Sequence, residues 1–202
     1  MFALYLSACA NDPAFTQTAN VESKVSVASK EAVKKDLVNY SYEAQTKETN
    51  FQNNPYKVKG KVYHPKVNIN YSEEGNASWY SSWFHGRKTS SGSRYDENKY
   101  TAAHRTLPIP SVVKVTNLEN NKSVVVIVND RGPFRKPTSS KALIDLSKKA
   151  AKDLDIIQQG LAKVRVELLP NETFTLSARL KDSERKKAEL AYNKRLPKTV
   201  VR

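Results

Sequence analysis

Cysteine is almost missing from this chain of 202 residues, which has Cys9 alone. A lone cysteine excludes an intrachain disulfide and a cysteine-built zinc site. Acidic residues are the minority sign: 20 Asp and Glu stand against 34 Lys and Arg, a formal net charge of +14. That balance suits an acidic partner, whether nucleic acid, an anionic membrane surface or an acidic polymer, and it also suits a plain lysine-rich tail that keeps the chain soluble. Two further lacks speak against nucleic acid. The cations are spread through both ends rather than gathered, and no helix-turn-helix, zinc-finger or RRM signature is present. No repeat is long enough to mean a solenoid. His85, His104 and Asp130 are metal-ligand types without ligand spacing, so no metal and no cofactor is expected.

The amino terminus is short of what its own pattern asks for. Phe2-Ala3-Leu4-Tyr5 is far too brief to span a bilayer, and it lacks the positive leader and ~7–15-residue apolar core of a secretory signal. Yet Leu6-Ser7-Ala8-Cys9 places small residues before a cysteine after an apolar segment, the pattern of a bacterial lipoprotein signal. Residues 1–9 therefore read as a signal-like segment, with Cys9 lipidated and first in the mature chain. An incidental free cysteine is the plain alternative. Ala10 rather than an aspartate follows, which points to the outer membrane. Residues 10–54 sustain neither helical nor strand period and read as a disordered tether. Pro55 to Pro65 alternates aromatic or β-branched residues with lysine, as a short surface strand or clasp does, so 55–72 is the lead into the domain.

What is present is concentrated between Ala77 and Phe134. Val112 to Thr116 and Ser123 to Val128 are β-branched runs separated by a turn-like hexapeptide, which predicts a β-hairpin. The second run is apolar throughout, as in a strand buried on both faces. It delivers Asn129-Asp130-Arg131-Gly132-Pro133, and Gly-Pro ends a strand. An acid at the mouth of a buried strand is a candidate reactive carboxyl. Downstream, Ala142 to Leu146 is a short apolar run. Ser147 caps a short helix whose Ala150, Ala151 and Leu154 share a face, and Gly160 turns the chain into the alternating strand Lys163 to Leu168. These elements make a small, mostly β barrel over 73–170. Residues 171–202 are a basic, helix-prone tail, a loose helix rather than a second domain.

The motifs ASWY (Ala77–Tyr80), FHGRKTSSG (Phe84–Gly92), TAAHRTLP (Thr101–Pro108), VNDRGPF (Val128–Phe134), IDLSKKAAKDL and GLAKVRVELL resemble, in order and spacing, the rare lipoprotein A (RlpA) family. The resemblance runs from Pro55 to Leu169. It implies a six-stranded double-psi β-barrel with one or two short helices and flexible tails, and an envelope lipoprotein that acts on peptidoglycan near the division septum. It implies lytic transglycosylase activity on glycan strands stripped of stem peptides, hence peptidoglycan glycan as partner, a membrane contact through the Cys9 anchor, and division-site proteins as further partners. Many relatives carry a glutamate directly after the glycine of an SGE motif, as part of their catalytic set, where this chain has Ser93. Many also end in a SPOR domain, where this chain has its basic tail.

A lytic transglycosylase needs one group to protonate the leaving oxygen and a base to take the proton of the muramoyl C6 hydroxyl. One carboxyl can do both. Asp130 is the expected carboxyl, with a strand-end Asp–Arg pair as the structural alternative. His104, which matches the family's site histidine, is expected to orient Asp130 or share its proton, against a packed core histidine. Asn129 and Arg131 flank the acid, and Ser93 and His85 belong to the substrate-binding set. Trp79, Tyr80, Trp83 and Phe84 offer aromatic faces for sugar rings. Trp79 and Tyr80 face opposite sides of a strand, so one of them alone needs to line a groove.

Overall fold

The computed structural model describes residues 53–134 and 142–195, together with Glu31. The signal-like segment with Cys9, and the tether apart from Glu31, Asn53 and Asn54, lie outside the described residues, as does the end of the tail. The first described element is a hairpin, β1 (Tyr56–Val58) and β2 (Lys61–Tyr63), paired antiparallel. Its turn needs two left-handed residues, and Lys59 and Gly60 supply them at φ 49° and 82°. The clasp expected from the lysine alternation is thus a two-stranded unit.

Six strands close the barrel: β3 (Ser72–Trp79), β4 (Thr101–His104), β5 (Ser111–Asn117), β6 (Ser123–Asp130), β7 (Ala142–Leu146) and β8 (Ala162–Leu168), in the order β3-β7-β4-β6-β5-β8. The expected hairpin is β5–β6, in register from Ser111 opposite Val128 to Thr116 opposite Ser123. β3–β7 and β4–β6 run parallel and the other pairs antiparallel. A parallel pair needs a crossover, so each brings together segments far apart in the chain. β6 is buried at every residue but Asp130. Each of its valines contributes about 1.5–3 kcal/mol by leaving water. β8 alternates as expected, with Val164 and Val166 inward and Lys163 and Arg165 outward. β3 carries Gly75 because a Cβ there would lie 2.9 Å from that of Leu143 on β7.

Helix α1 (Lys148–Asp153) starts at Ser147, whose hydroxyl accepts from Ala150 N at 3.3 Å, and buries Ala150 and Ala151. The tail is helical, as its helix-prone sequence suggests: it is one continuous helix, α2 (Pro170–Arg195), of 26 residues, docked rather than loose at its start. Pro170 opens it where no N–H is needed. Thr173 Oγ1 accepts from Val112 N at 2.9 Å, and Leu176 and Leu180 are buried against the barrel. Thr173, Leu176 and Leu180 follow the 3–4 spacing of one helical face, so the core runs past residue 170. No helix among the described residues is long and apolar enough to cross a membrane.

Candidate active site

β6 ends at the barrel mouth, and Asp130 is its one half-exposed residue. The carboxyl is held asymmetrically. Oδ1 accepts three hydrogen bonds: from Ser90 N at 2.8 Å, from Ser90 Oγ at 2.7 Å and from Arg131 N at 2.8 Å. Oδ2 accepts one, from Tyr80 Oη at 3.1 Å. One oxygen is thereby anchored and the other is presented.

Ser90 comes from the loop Thr89–Ser93, which folds onto the end of β6. Ser91 N donates to Asn129 O at 3.1 Å, and a Lys88–Arg94 bridge closes the loop's base. Gly92 turns it at φ 86°, where a side chain would be strained. Ser93 lies beneath, nearly buried. Its hydroxyl forms a triangle with Thr89 Oγ1 (3.0 Å) and Ser91 Oγ (2.9 Å) and takes Asn129 Nδ2 at 3.3 Å. The position after the loop glycine therefore touches the residue beside Asp130, but through a hydroxyl.

Tyr80 follows β3 and packs edge-on against Phe84 (5.4 Å) and tilted against Tyr95 (5.1 Å). Burial, then the charges of Asp130 and Asp145, push its hydroxyl well above the usual tyrosine range, so it stays a donor. Asp145 on β7 accepts from the Ser78 hydroxyl. Trp79 is half-buried against the core and borders a groove of about 340 Å³ shared with Ser78, Ser81, Pro133 and Ala142. Arg105 pins two walls of that groove, donating to Pro133 O at 3.2 Å and Ala142 O at 2.7 Å. Tyr80 thus meets Asp130 directly, whereas Trp79 lines the groove beside Ser78 and Ser81.

Arg131 does not direct its guanidinium at Asp130. It donates to Leu107 O at 2.5 Å and to Asn53 Oδ1 at 3.2 Å, and it lies over the Tyr56 ring at 5.4 Å. Burial is the main influence on it and lowers its pKa. The clasp braces this arrangement. Tyr56 stacks on Tyr63 at 5.3 Å and meets Phe134 edge-on, and its hydroxyl donates to Arg105 O at 2.6 Å.

The expected partnership of His104 with Asp130 is not made. Ala103 is the register partner of both Asp130 and Asp145, and neighbours along a strand project to opposite faces. His104 therefore leaves the face that carries Asp130. Its Nδ1 accepts from Leu107 N at 2.9 Å and Thr106 N at 3.2 Å. That puts the ring proton on Nε2, which lies 3.0 Å from Tyr71 Oη, and Tyr71 in turn donates to Glu73 at 2.9 Å. Burial first, then Arg105 and Arg131, lower the His104 pKa to about 3, so the ring is neutral at neutral pH. His85 is exposed and accepts from Glu97 N at 3.3 Å, on the same loop as Trp83 but bonded away from Asp130. Among the described residues no cluster of His, Cys, Asp and Glu is suited to a metal.

Ser90, Tyr71 and Tyr56 were not singled out from the sequence. Ser90 sits in an undistinguished Thr-Ser-Ser-Gly-Ser run, and its role arises only when that loop meets a strand end 40 residues on.

A family model described as "Lytic transglycolase" matches residues 72–166, the barrel itself, and identifies it as a double-psi β-barrel. The chain is 52% identical over 136 residues to "Endolytic peptidoglycan transglycosylase RlpA" of Rickettsia typhi, across 65% of this chain and 41% of that protein. It is 54% identical over 123 residues to the protein of that name from Neisseria meningitidis serogroup A, across 60% of this chain and 50% of the other. The chain thus spans about half the length of the curated relatives it matches. A solved Streptomyces papain inhibitor is 19% identical and overlays 52% of the chain at a TM-score of 0.41, too slight a likeness to argue from.

Proposed function

The barrel of this chain belongs to the rare lipoprotein A family, and from that premise we propose that the protein is an endolytic peptidoglycan lytic transglycosylase. It cuts the β-1,4 bond from N-acetylmuramic acid to N-acetylglucosamine in naked glycan strands and leaves 1,6-anhydro ends. The observation that carries this reading is the asymmetric seating of Asp130, with three donors on Oδ1 and Tyr80 alone on Oδ2.

In the proposed cycle Oδ2 begins with a proton. It gives that proton to the glycosidic oxygen as the bond to the muramoyl C1 breaks. The muramoyl C6 oxygen then bonds to C1, and its proton passes to Oδ2. Asp130 ends as it began, no water is consumed, and one carboxyl serves as both acid and base. Two-carboxylate hydrolysis is a different design. Ser90 and the Arg131 amide hold the carboxyl plane, so that Oδ2 stays aimed. Tyr80 donates to Oδ2 in its charged state. His104, neutral and turned away, orders the Thr106–Leu107 turn from which Arg131 is held. Digesting stem-free glycan in ¹⁸O-labelled water tests the reading. The new muramoyl ends should carry no label and resist borohydride, and labelled reducing ends would mean hydrolysis instead.

Ser93 favours a second reading, a glycan-binding module that holds strands without cutting them. No carboxylate stands where many relatives have glutamate, and the Ser93 hydroxyl is closed into its triangle. Retention on purified sacculi without product would support it.

The anchoring proposal rests on sequence alone. Cys9 carries a lipid, the protein faces the periplasm from the outer membrane, and division-site proteins are its neighbours. Metabolic labelling with a palmitate analogue that survives in Cys9→Ser would contradict the anchor.

A further inference from the structure

The 3₁₀ turn Ser82–Phe84 carries Trp83 out from the barrel with 74% of its surface exposed. Its cover is partial and charged. The Arg87 guanidinium lies over the Trp83 ring at 4.9 Å and over Phe84 at 5.4 Å. Among the described residues no carboxylate forms an ion pair with Arg87. Arg105 is spent on Pro133 O and Ala142 O, Arg94 on Gly86 O, and Lys148 faces Glu97 at 3.4 Å. The pair is also continuous with the reacting carboxyl. Phe84 meets the Tyr80 ring at 5.4 Å, and Tyr80 meets Asp130 Oδ2 at 3.1 Å.

The Arg87 guanidinium caps part of the indole and leaves the rest exposed, so open aromatic surface and a guanidinium without a carboxylate partner lie together, a match for a sugar ring that carries a carboxylate. The ring packs on the indole, and the anion meets a fork of donors. Glycan strands of peptidoglycan hold one such sugar, N-acetylmuramic acid. Its lactyl carboxyl is locked in an amide while a stem peptide is attached and becomes a free anion when the peptide is removed. We infer that Trp83 and Arg87 form a subsite for a muramoyl residue with a free lactyl carboxylate, at a remove from the bond that is cut. The inference rests on the glycan-cleaving reading of Asp130 and gives a physical reason for selecting stripped strands: stem removal creates the charge that Arg87 binds.

The test is binding of a stem-free muramoyl tetrasaccharide, compared with the same compound after its lactyl carboxyls are reduced to alcohols. Every protein carries Asp130→Asn so that the ligand stays whole, and cleavage by the Asp130 parent is followed separately. The charged ligand should bind about two- to fivefold more tightly than the reduced one, as an exposed ion pair allows, with the gap closing as salt rises. Arg87→Gln should bind both alike. Trp83→Leu should weaken both while keeping their ratio. The subsite is overturned if Arg87→Gln keeps the parent's ratio, or if the parent binds the two ligands equally or binds neither. Carboxylate-dependent binding with no cleavage would sink the transglycosylase reading and leave the subsite standing. Cleavage without carboxylate discrimination would do the reverse.

Discussion

Ser90 donates twice to a single oxygen of Asp130, from its amide at 2.8 Å and from its hydroxyl at 2.7 Å. The double contact joins the Thr89–Ser93 loop to the end of β6 and fixes which carboxyl oxygen meets substrate. Ser90→Ala keeps the amide bond and loses the hydroxyl. A hydrogen bond to a charged group is worth about 1.5–3 kcal/mol, so kcat should fall at least about tenfold with KM little changed. Steady-state kinetics on stem-free glycan check this, and an unchanged kcat would show that the second contact does not matter.

Tyr80→Phe separates a hydrogen bond from a packing role. The ring contacts with Phe84 and Tyr95 remain, and only the donor to Asp130 Oδ2 is lost. Unfolding should shift by no more than about 1 kcal/mol, while kcat drops by roughly one order of magnitude. A large loss of stability with intact turnover would reverse the assignment.

His104 makes a pH prediction with a definite sign. Its folded pKa is about 3 against an ordinary value of 6.5. Between those values the unfolded chain binds the proton and the folded chain does not. The neutral-ring contribution is therefore fully present above pH 6.5 and is lost progressively as pH falls from 6.5 toward 3. Thermal melts of wild type and His104→Gln across that window should show the steeper acid loss in wild type. Parallel curves would mean that the ring is not held neutral.

The start of α2 belongs to the barrel's core. Leu176→Ala should destabilise by about 2–5 kcal/mol, as a fully buried leucine does, whereas Leu190→Ala, at an exposed position, should cost almost nothing. Denaturant titration of the two variants compares them directly. Equal, small effects would mean that the helix is not docked.

What could be read in advance was local. The β5–β6 hairpin, the Ser147 cap and the alternation of β8 each lie within one continuous segment, so period and turn residues reveal them. The docking of α2 was harder to see. Two leucines and a threonine are a thin stripe on an otherwise charged helix, and its apolar period is correspondingly faint. Barrel closure depends on parallel pairs of distant strands, and here only the family resemblance carried the expectation. The site divides the same way. Asp130 at the end of a buried strand was legible, but its neighbours act otherwise than their side chains suggest: the Asn129 amide goes to Ser93 Oγ, the Arg131 guanidinium goes to Leu107 O, and the Arg131 backbone N–H is what meets the carboxyl. Ser90 was not legible, because its chemistry comes from a loop closing on a strand far along the chain. His104 was drawn toward Asp130 by family likeness, but strand alternation next to Ala103 turns it to the other face.

The central claim is that Asp130 both gives and takes the proton. Mass spectrometry of products from stem-free peptidoglycan, wild type beside Asp130→Asn, tests it most directly. The account predicts 1,6-anhydro products from wild type and none from the variant, with both retained on the glycan. Anhydro products from Asp130→Asn at the wild-type rate would contradict it, and so would a wild type that binds the strands and releases nothing.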